Sequence, residues 1–158
     1  MSGYVLKAGE GRSYLWSPYR YLFTIKAVGD EMDRDIAFIE FATEKGSEPP
    51  LHTHNGEDEI FYVLSGELTL TCGEDSFDAG PMDFVFLPRD VPHSYTIKTD
   101  GLVHLLVITI TREEDGRRFG RDIEENGERV ATDTALNQIA ALRRGGGPMP
   151  ANEQAAPQ

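Results

Sequence analysis

The sequence predicts an all-β fold, a sandwich or barrel of short strands, and three observations support this prediction. Apolar and polar residues alternate with a period of two in several segments, which is typical of strands. Turn residues separate these segments at intervals of roughly 8–12 residues. The chain of 158 residues has no repeat of fixed period and no dividing linker, so we expect a single domain.

The individual strands follow from the alternating residues and the turns between them. The aromatic-rich stretch 14–28 is predicted as one strand, because its apolar residues alternate from Tyr19 to Ile25. Gly29-Asp30 ends this strand, and Asp100-Gly101 is a strong signal for a hairpin further along. The remaining strands are predicted over residues 35–43, 59–72 divided at Ser65-Gly66, 77–79, 84–87, 93–98 and 102–111.

The composition changes after residue 111. Residues 112–121 are rich in charge and are predicted to form a connector or short helix. Thr132 or Asp133 can cap a further helix that ends before Gly145. The predicted organisation is a barrel over 1–111 with its core at 35–111, a connector and helix packed on it over 112–144, and a disordered tail over 145–158.

The charge balance and the cysteine content limit the partners and the compartment. The formal net charge is −12, so the acidic surface would repel nucleic-acid phosphates and anionic lipid headgroups. Cys72 is the single cysteine, so no internal disulfide can form, and its strand context indicates a buried residue. Residues 1–20 lack the pattern of a signal peptide, and no stretch approaches ~18 continuous apolar residues. We therefore expect a cytoplasmic protein that binds neither nucleic acid nor membrane.

Three histidines and one glutamate have the spacing of a metal site. His52 and His54 are two residues apart, so on a strand their imidazoles share one face with Cβ atoms ~6.5–7 Å apart. Glu59 follows a polar turn, and His93 follows the turn at Pro88. Imidazoles with one carboxylate suit Fe, Mn, Co, Ni, Cu or Zn rather than Ca or Mg. Four protein ligands leave one or two positions for water, substrate or dioxygen.

Neighbouring polar residues have simpler interpretations. His104 has no partner pattern and is expected to be hydrogen-bonded or to lie behind a ligand. Glu57 and Asp58 are expected to be solvated turn residues, with Glu57 a weaker alternative ligand. A single histidine on a strand is most often hydrogen-bonded or exposed, but three of the four histidines here fall in one spaced pattern.

Two segments resemble the motifs of the cupin family. Residues 46–66, GSEPPLHTHNGEDEIFYVLSG, fill every position of the first motif, G-x5-H-x-H-x4-E-x6-G. Residues 80–97 resemble the second, G-x5-P-x-G-x2-H-x3-N, and keep His93; the glycine lies two residues early, and Asp90 and Ile97 replace glycine and asparagine. The resemblance implies a double-stranded β-helix, the cupin or jelly-roll barrel, with a short C-terminal helical segment. It also implies one metal ion held by His52, His54, Glu59 and His93.

Within the cupins, the chain is most similar to single-domain quercetin 2,3-dioxygenase-like proteins, on residues 57–64, 84–89 and 119–120. This resemblance implies a metal-dependent dioxygenase that cleaves a flavonol or a related aromatic enol or diketone with O2. Glu59 would be the catalytic base that takes the proton of the substrate hydroxyl. Two alternatives stay open. One is a non-oxidative isomerase or polyketide-type cyclase with zinc, and the other is a non-catalytic sensor module for small molecules.

Strand parity predicts the wall of the substrate pocket, because alternate residues of a strand face the same side. If Glu59 points inward, Phe61 and Val63 do so as well. In the same way, Tyr95 points inward if His93 does. The facing of two phenylalanines on the strand over 84–87 is left open, and core packing is the competing interpretation for every candidate. The candidate wall residues are Phe61, Val63, Tyr95, Phe84 and Phe86.

The strand edges predict a protein partner. Long apolar strands and an aromatic N-terminal strand leave edges that need covering. A homodimer formed by edge pairing or sheet packing is therefore expected, besides the small aromatic substrate and O2.

Overall fold

The computed structural model describes residues 3–16, 20–29, 35–112 and 119–131, which form ten strands and one helix. Within these ranges no helix is long and apolar enough to span a membrane. The cytoplasmic location stays a prediction. The elements are β1 (Arg12–Trp16), β2 (Tyr21–Ala27), β3 (Ile36–Glu44), β4 (Glu57–Ser65), β5 (Leu68–Cys72), β6 (Asp75–Ala79), β7 (Phe84–Leu87), β8 (His93–Ile97), β9 (Leu102–Thr111), α1 (Phe119–Asn126) and β10 (Glu128–Val130).

Two antiparallel sheets share one hydrophobic core. The larger sheet has the strand order β10-β1-β2-β3-β9-β4-β7, and the smaller has the order β6-β5-β8. A single cluster of buried side chains draws on both sheets, with Ile39, Val63 and Leu105 from the larger and Leu70 and Ile97 from the smaller. Burial alternates along β4 and β9, as the period of two predicts. The all-β, jelly-roll prediction is confirmed.

The stretch 14–28 contains two strands rather than the one predicted. β1 and β2 pair antiparallel, with Tyr14 opposite Phe23 and Trp16 opposite Tyr21. The alternation of aromatic residues continues on both arms of this hairpin, so periodicity alone does not reveal the reversal. Arg20, directly before β2, has a left-handed φ of 54°, and no glycine marks the turn.

The chain passes between the two sheets at four connections, and the turns at Ser65-Gly66 and Asp100-Gly101 belong to two of them. The predicted division at Ser65-Gly66 is confirmed, and it separates β4 from β5. Gly66 has a φ of 88°, and a Cβ there would lie 2.8 Å from Cγ2 of Val103. The hairpin predicted at Asp100-Gly101 is wrong, because β8 pairs with β5 whereas β9 pairs with β3 and β4. A turn sequence reverses the chain locally, but the partner strand is selected by the face that must be buried.

The C-terminal segment adds a packed helix and an edge strand to the larger sheet. The short helical segment is confirmed as α1, which begins inside the stretch predicted as a connector. Ile123 is fully buried, and Gly120 lets the helix approach Val28 and Ala37, which a Cβ there would meet at 3.0 and 3.2 Å. β10 was not predicted and pairs with β1 at the sheet edge. The helix predicted after Thr132 and the tail over 145–158 lie outside the described residues, and the domain bounds stay a prediction.

Candidate metal centre

Backbone pairing brings the first and last predicted ligands together. His52 and His93 form an isolated antiparallel bridge, with His52 N donating to His93 O at 3.0 Å and His93 N donating to His52 O at 2.8 Å. Their ring centroids are 4.6 Å apart. His54 lies in an extended segment before β4, with its ring 5.1 Å from that of His52 and 5.3 Å from that of His93. The three imidazoles therefore converge, although His52 and His54 precede the strand.

Glu59 completes the cluster from the inward face of β4. Its Oε2 lies 3.4 Å from Nε2 of His93 and 3.8 Å from Nε2 of His54. Each of the four side chains offers one ligand atom, and these atoms all lie within 4.8 Å of one another. The four residues predicted as ligands are therefore brought together, and the geometry could hold one metal ion.

Hydrogen bonds on the far side of two rings direct their free nitrogens towards the centre. Nδ1 of His52 lies 2.8 Å from Pro50 O, and Nδ1 of His93 lies 3.0 Å from Val91 O. A carbonyl oxygen can only accept, so in the neutral rings Nδ1 carries the proton and Nε2 keeps its lone pair. Nε2 of His93 is buried and has no hydrogen-bond partner within the described ranges. A bound cation would satisfy this lone pair, so the residues present fit a metal ion.

The electrostatics of the cluster favour a cation. Burial opposes the ionisation of Glu59, but the three histidines outweigh it and lower the pKa of this carboxyl. Burial also acts against the charged form of His93, yet the contact with Glu59 raises the pKa of that imidazole. Burial lowers the pKa of His52, which favours the neutral ring that metals bind. A buried carboxylate among imidazoles matches a divalent transition metal, and this donor set leaves the identity of the metal open among the six candidates.

Three of the predicted wall residues face the interior. Phe61 and Val63 on β4 and Tyr95 on β8 are all buried, and the rings of Phe61 and Tyr95 are 6.1 Å apart, edge to face. Burial, then the neighbouring Tyr21 and Glu59, raises the pKa of Tyr95 well above its ordinary value, so its phenol stays protonated. The inward facing is as predicted, and substrate contact stays a prediction.

The other two predicted wall residues face outward. Phe84 is 65% exposed and Phe86 is 50% exposed, whereas Val85 and Leu87 of the same strand are buried. The prediction that these phenylalanines line the pocket is wrong. Alternation along β7 puts the smaller side chains inside and leaves both aromatic rings on the outer face of the sheet.

Glu57 is a buried residue whose surroundings differ from the sequence-based prediction. It is only 5% exposed, and its Oε2 accepts hydrogen bonds from Thr111 Oγ1 at 2.6 Å and from Phe119 N at 3.2 Å. Burial raises the pKa of this carboxyl against the effect of those two donors. Its parity with Glu59 on β4 is a signal that could have identified it as inward-facing. The expectation of a solvated turn residue is wrong, because β4 begins at Glu57 and the turn ends before it.

Three other side chains lie around the candidate centre or outside it. Phe119 was not predicted as a site residue, and its ring lies 5.8 Å from that of His54. Asp58, expected to be solvated, instead binds Arg89. His104 lies outside the ligand cluster, with Nε2 3.7 Å from Oε2 of Glu40, which agrees with the expectation that it is not a ligand.

Comparisons with known proteins agree with this geometry. The family profile described as the cupin domain matches residues 39–109. The chain is 30% identical to a quercetin 2,3-dioxygenase of Bacillus subtilis (strain 168) over 96 residues, which are 60% of this chain and 27% of that protein. The chain thus spans about a quarter of the length of this curated relative.

Two solved structures illustrate the structural similarity. A predicted oxalate decarboxylase from Thermotoga maritima has a TM-score of 0.62 at 22% identity, over 69% of this chain and 100% of that chain. A candidate sugar phosphate isomerase from Acidithiobacillus ferrooxidans has a TM-score of 0.51 at 30% identity, over 68% of this chain and 74% of that chain. The matched profile includes all four residues of the ligand cluster, and the chain belongs to the cupin superfamily.

Proposed function

We propose that this cupin is a metal-dependent dioxygenase that cleaves a flavonol or a related aromatic enol or diketone with O2. The observation that carries the proposal is the convergence of His52, His54, His93 and Glu59, of which Glu59 and His93 are buried and the other two are half-buried. The similarity to a quercetin 2,3-dioxygenase supports the choice of reaction among those that such a centre can perform. His52, His54, His93 and Glu59 would hold a divalent transition metal there, which would polarise the acidic hydroxyl of the substrate as a Lewis acid.

Glu59 is proposed as the catalytic base. Because its neighbours lower the pKa of its carboxyl, it is ionised near neutral pH and can accept the proton of a substrate hydroxyl. Its Oε2 already faces two imidazoles, so a hydroxyl directed at the centre would come within its reach.

The wall would orient the substrate and exclude water. Phe61 and Tyr95 present aromatic surfaces to the interior, and Val63 is buried on the same face of β4 as Phe61. Tyr95 keeps its proton, so it can donate a hydrogen bond but cannot act as a base near neutral pH. These residues supply positioning and a dry environment rather than proton transfer.

The test combines elemental analysis of the native protein with oxygen-electrode assays on flavonols and diketones. We expect about one transition-metal ion per chain and O2 uptake that depends on substrate. The double substitution His52→Ala with His54→Ala should remove both the metal and the O2 uptake. Glu59→Gln should abolish turnover, whereas His104→Ala, which changes a histidine outside the cluster, should leave both unchanged.

Two results would overturn the proposal. The first is native protein that contains no transition metal and gains no activity when a transition metal is added. The second is turnover of an aromatic ketone at the same rate with O2 excluded, because a dioxygenase consumes O2 as a substrate.

The second result would favour a non-oxidative cupin isomerase or cyclase. One observation supports this alternative: the similarity to a candidate sugar phosphate isomerase is as high in identity as that to the dioxygenase, at 30%, and it covers 68% of the chain. In that case the metal would polarise a carbonyl, and Glu59 would move a proton between carbons.

A further inference from the structure

The carboxylate of Glu57 lies between the ligand cluster and helix α1. One of its oxygens, Oε1, is 3.7 Å from Nδ1 of His54. The other, Oε2, accepts the hydrogen bonds from Thr111 and from the backbone N–H of Phe119, the first residue of α1. One buried side chain therefore contacts a candidate ligand on one side and the start of the helix on the other.

His54 differs from the other two histidines in what stands behind its ring. Nδ1 of His52 and Nδ1 of His93 face backbone carbonyls, whereas Nδ1 of His54 faces the carboxylate of Glu57. In metalloproteins the group behind a ligating imidazole sets its tautomer and orientation and increases its basicity. Glu57 is placed to keep Nε2 of His54 directed at the centre, where Glu59 lies 3.8 Å away.

Helix α1 touches His54 by a second route. The ring of Phe119 lies 5.8 Å from the His54 ring and 5.5 Å from the ring of Phe23, both edge to face. Phe119 thus joins the aromatic core to the imidazole. The first N–H groups of a helix lack partners inside the helix, and Glu57 satisfies that of Phe119. The position of α1 and the orientation of His54 therefore depend on the same carboxylate.

We propose that Glu57 is a positioning residue that couples metal binding at the cluster to the docking of α1. A metal ion that fixes His54 would restrict Glu57, and Glu57 would hold the N-terminus of α1 against the barrel. Conversely, loss of the carboxylate would weaken the metal site and release the helix together. The inference rests on the metal site of the proposed function, but not on its reaction.

The test uses Co2+ as the probe. It measures both metal binding at the cluster and docking of α1 in the full chain. Co2+ affinity is measured by chelator competition, ligand geometry by the Co2+ absorption bands, and docking by amide hydrogen exchange over residues 119–126. In the unaltered chain, Co2+ should slow exchange in α1. In Glu57→Gln the affinity should fall by ~10–100-fold, the Co2+ bands should shift, and saturating Co2+ should no longer protect α1.

Two further variants make the result specific. Glu44→Gln changes another buried glutamate, which pairs with Arg20 at 2.9 Å on β3, and it should leave the affinity and the helix protection unchanged. Thr111→Val keeps the carboxylate but removes one of its donors, so it should retain most of the affinity and lose part of the protection. This variant keeps the test decisive if Glu57→Gln folds poorly.

The proposal is overturned if Glu57→Gln binds Co2+ as tightly as the unaltered chain, or if saturating Co2+ protects α1 equally in both. It is also overturned if Co2+ does not bind the unaltered chain. None of these measurements requires turnover. A chain that shows the coupling but no O2 uptake would refute the dioxygenase alone, and an active chain without the coupling would refute the role of Glu57 alone.

Discussion

Asp90 occupies the position where the second motif has glycine, and its backbone has a glycine-like φ of 64°. Its Oδ1 accepts a hydrogen bond from Gly56 N at 3.0 Å, and its own N–H donates to His54 O at 3.0 Å. Aspartate enters the left-handed region more readily than most residues. The loop that leads to His93 is thereby tied to the loop that carries His54, and the hydrogen bond offsets the backbone strain.

A matched pair of substitutions separates these two effects at Asp90. Asp90→Gly removes the carboxylate and the strain, whereas Asp90→Ala removes the carboxylate and keeps a Cβ in the left-handed conformation. We expect the free energy of unfolding to fall by ~1–2 kcal/mol more in Asp90→Ala than in Asp90→Gly. Urea denaturation of the metal-free protein measures both values. Equal losses in the two variants would contradict this account.

At the scale of elements, both faces of strand β4 carry side chains that make specific contacts. The inward face carries Glu57, Glu59 and buried apolar residues. On the outward face, Oδ1 of Asp58 accepts hydrogen bonds from the backbone N of Arg89 at 2.9 Å and from its Nε at 3.0 Å, and Oδ2 contacts the guanidinium. Arg89 lies two residues after the end of β7, so this pair fastens the segment that leads to His93.

The Asp58 pair should make stability depend on pH. The hydrogen bonds from Arg89, against the effect of burial, lower the pKa of Asp58 in the fold below its unfolded value near 3.8. The carboxylate therefore contributes its full stabilisation above that value and loses it as the pH falls through the folded pKa. We expect Asp58→Asn to cost about 1–2 kcal/mol at pH 7 and progressively less in strong acid. Unfolding free energies across this pH range test the expectation.

Asp78 provides the control for this prediction. It pairs with Lys98 at 2.8 Å on the solvent-exposed side of β6, with its side chain 65% exposed. Asp78→Asn should change stability much less, because solvent screens an exposed pair. The prediction for Asp58 fails if the two substitutions have the same effect at pH 7, or if the cost at Asp58 does not shrink in acid.

At the scale of the whole molecule, the outer face of the larger sheet is apolar across four neighbouring strands. The pairing registers place Phe38 beside Ile108, Ile108 beside Ile60, and Ile60 beside Phe86, which gives one continuous apolar row. A second row runs from Leu106 through Tyr62 to Phe84. Apolar residues on a sheet face of this width, ending in two exposed phenylalanines, indicate a surface that another protein covers.

We propose that a second copy of this chain covers that face. Two copies would place the same apolar rows against each other, as a two-fold symmetric dimer requires. The net charge of −12 opposes self-association, but the acidic residues at this face are paired, Asp58 with Arg89 and Glu40 with Lys26. Phe84 is 65% exposed and Phe86 is 50% exposed, so at least half of the surface of each can contribute to the ~800 Å² that each partner of a stable dimer buries.

The dimer is tested by light scattering coupled to size-exclusion chromatography. We expect twice the chain mass for the unaltered protein at micromolar concentration, and a single chain mass for the double substitution Phe84→Lys with Phe86→Lys. Phe77→Lys, which changes a phenylalanine of similar chemistry on the smaller sheet, should leave the dimer intact. A monomeric unaltered chain would contradict the proposal, and so would a dimer that persists in the double variant.

The strand pattern and three of the four candidate ligands could be predicted from the sequence because both are local. Alternation along β9 follows from the extended backbone of one strand, and the spacing of His52, His54 and Glu59 lies within eight residues. His93 is more distant, and it was identified because the turn residues around Pro88 mark where its strand begins.

Tertiary structure alone decided which partner each strand takes and which face each side chain presents. Asp100-Gly101 turns the chain, but β8 and β9 join different sheets because each buries its apolar face against residues far away in sequence. Phe84 and Phe86 face outward because the register of β7 on β4 buries Val85 and Leu87. Glu57 meets α1 only because the chain returns to it 62 residues later. Local dihedral preferences set the period of a strand, whereas its register and its neighbours come from burial summed over the whole core.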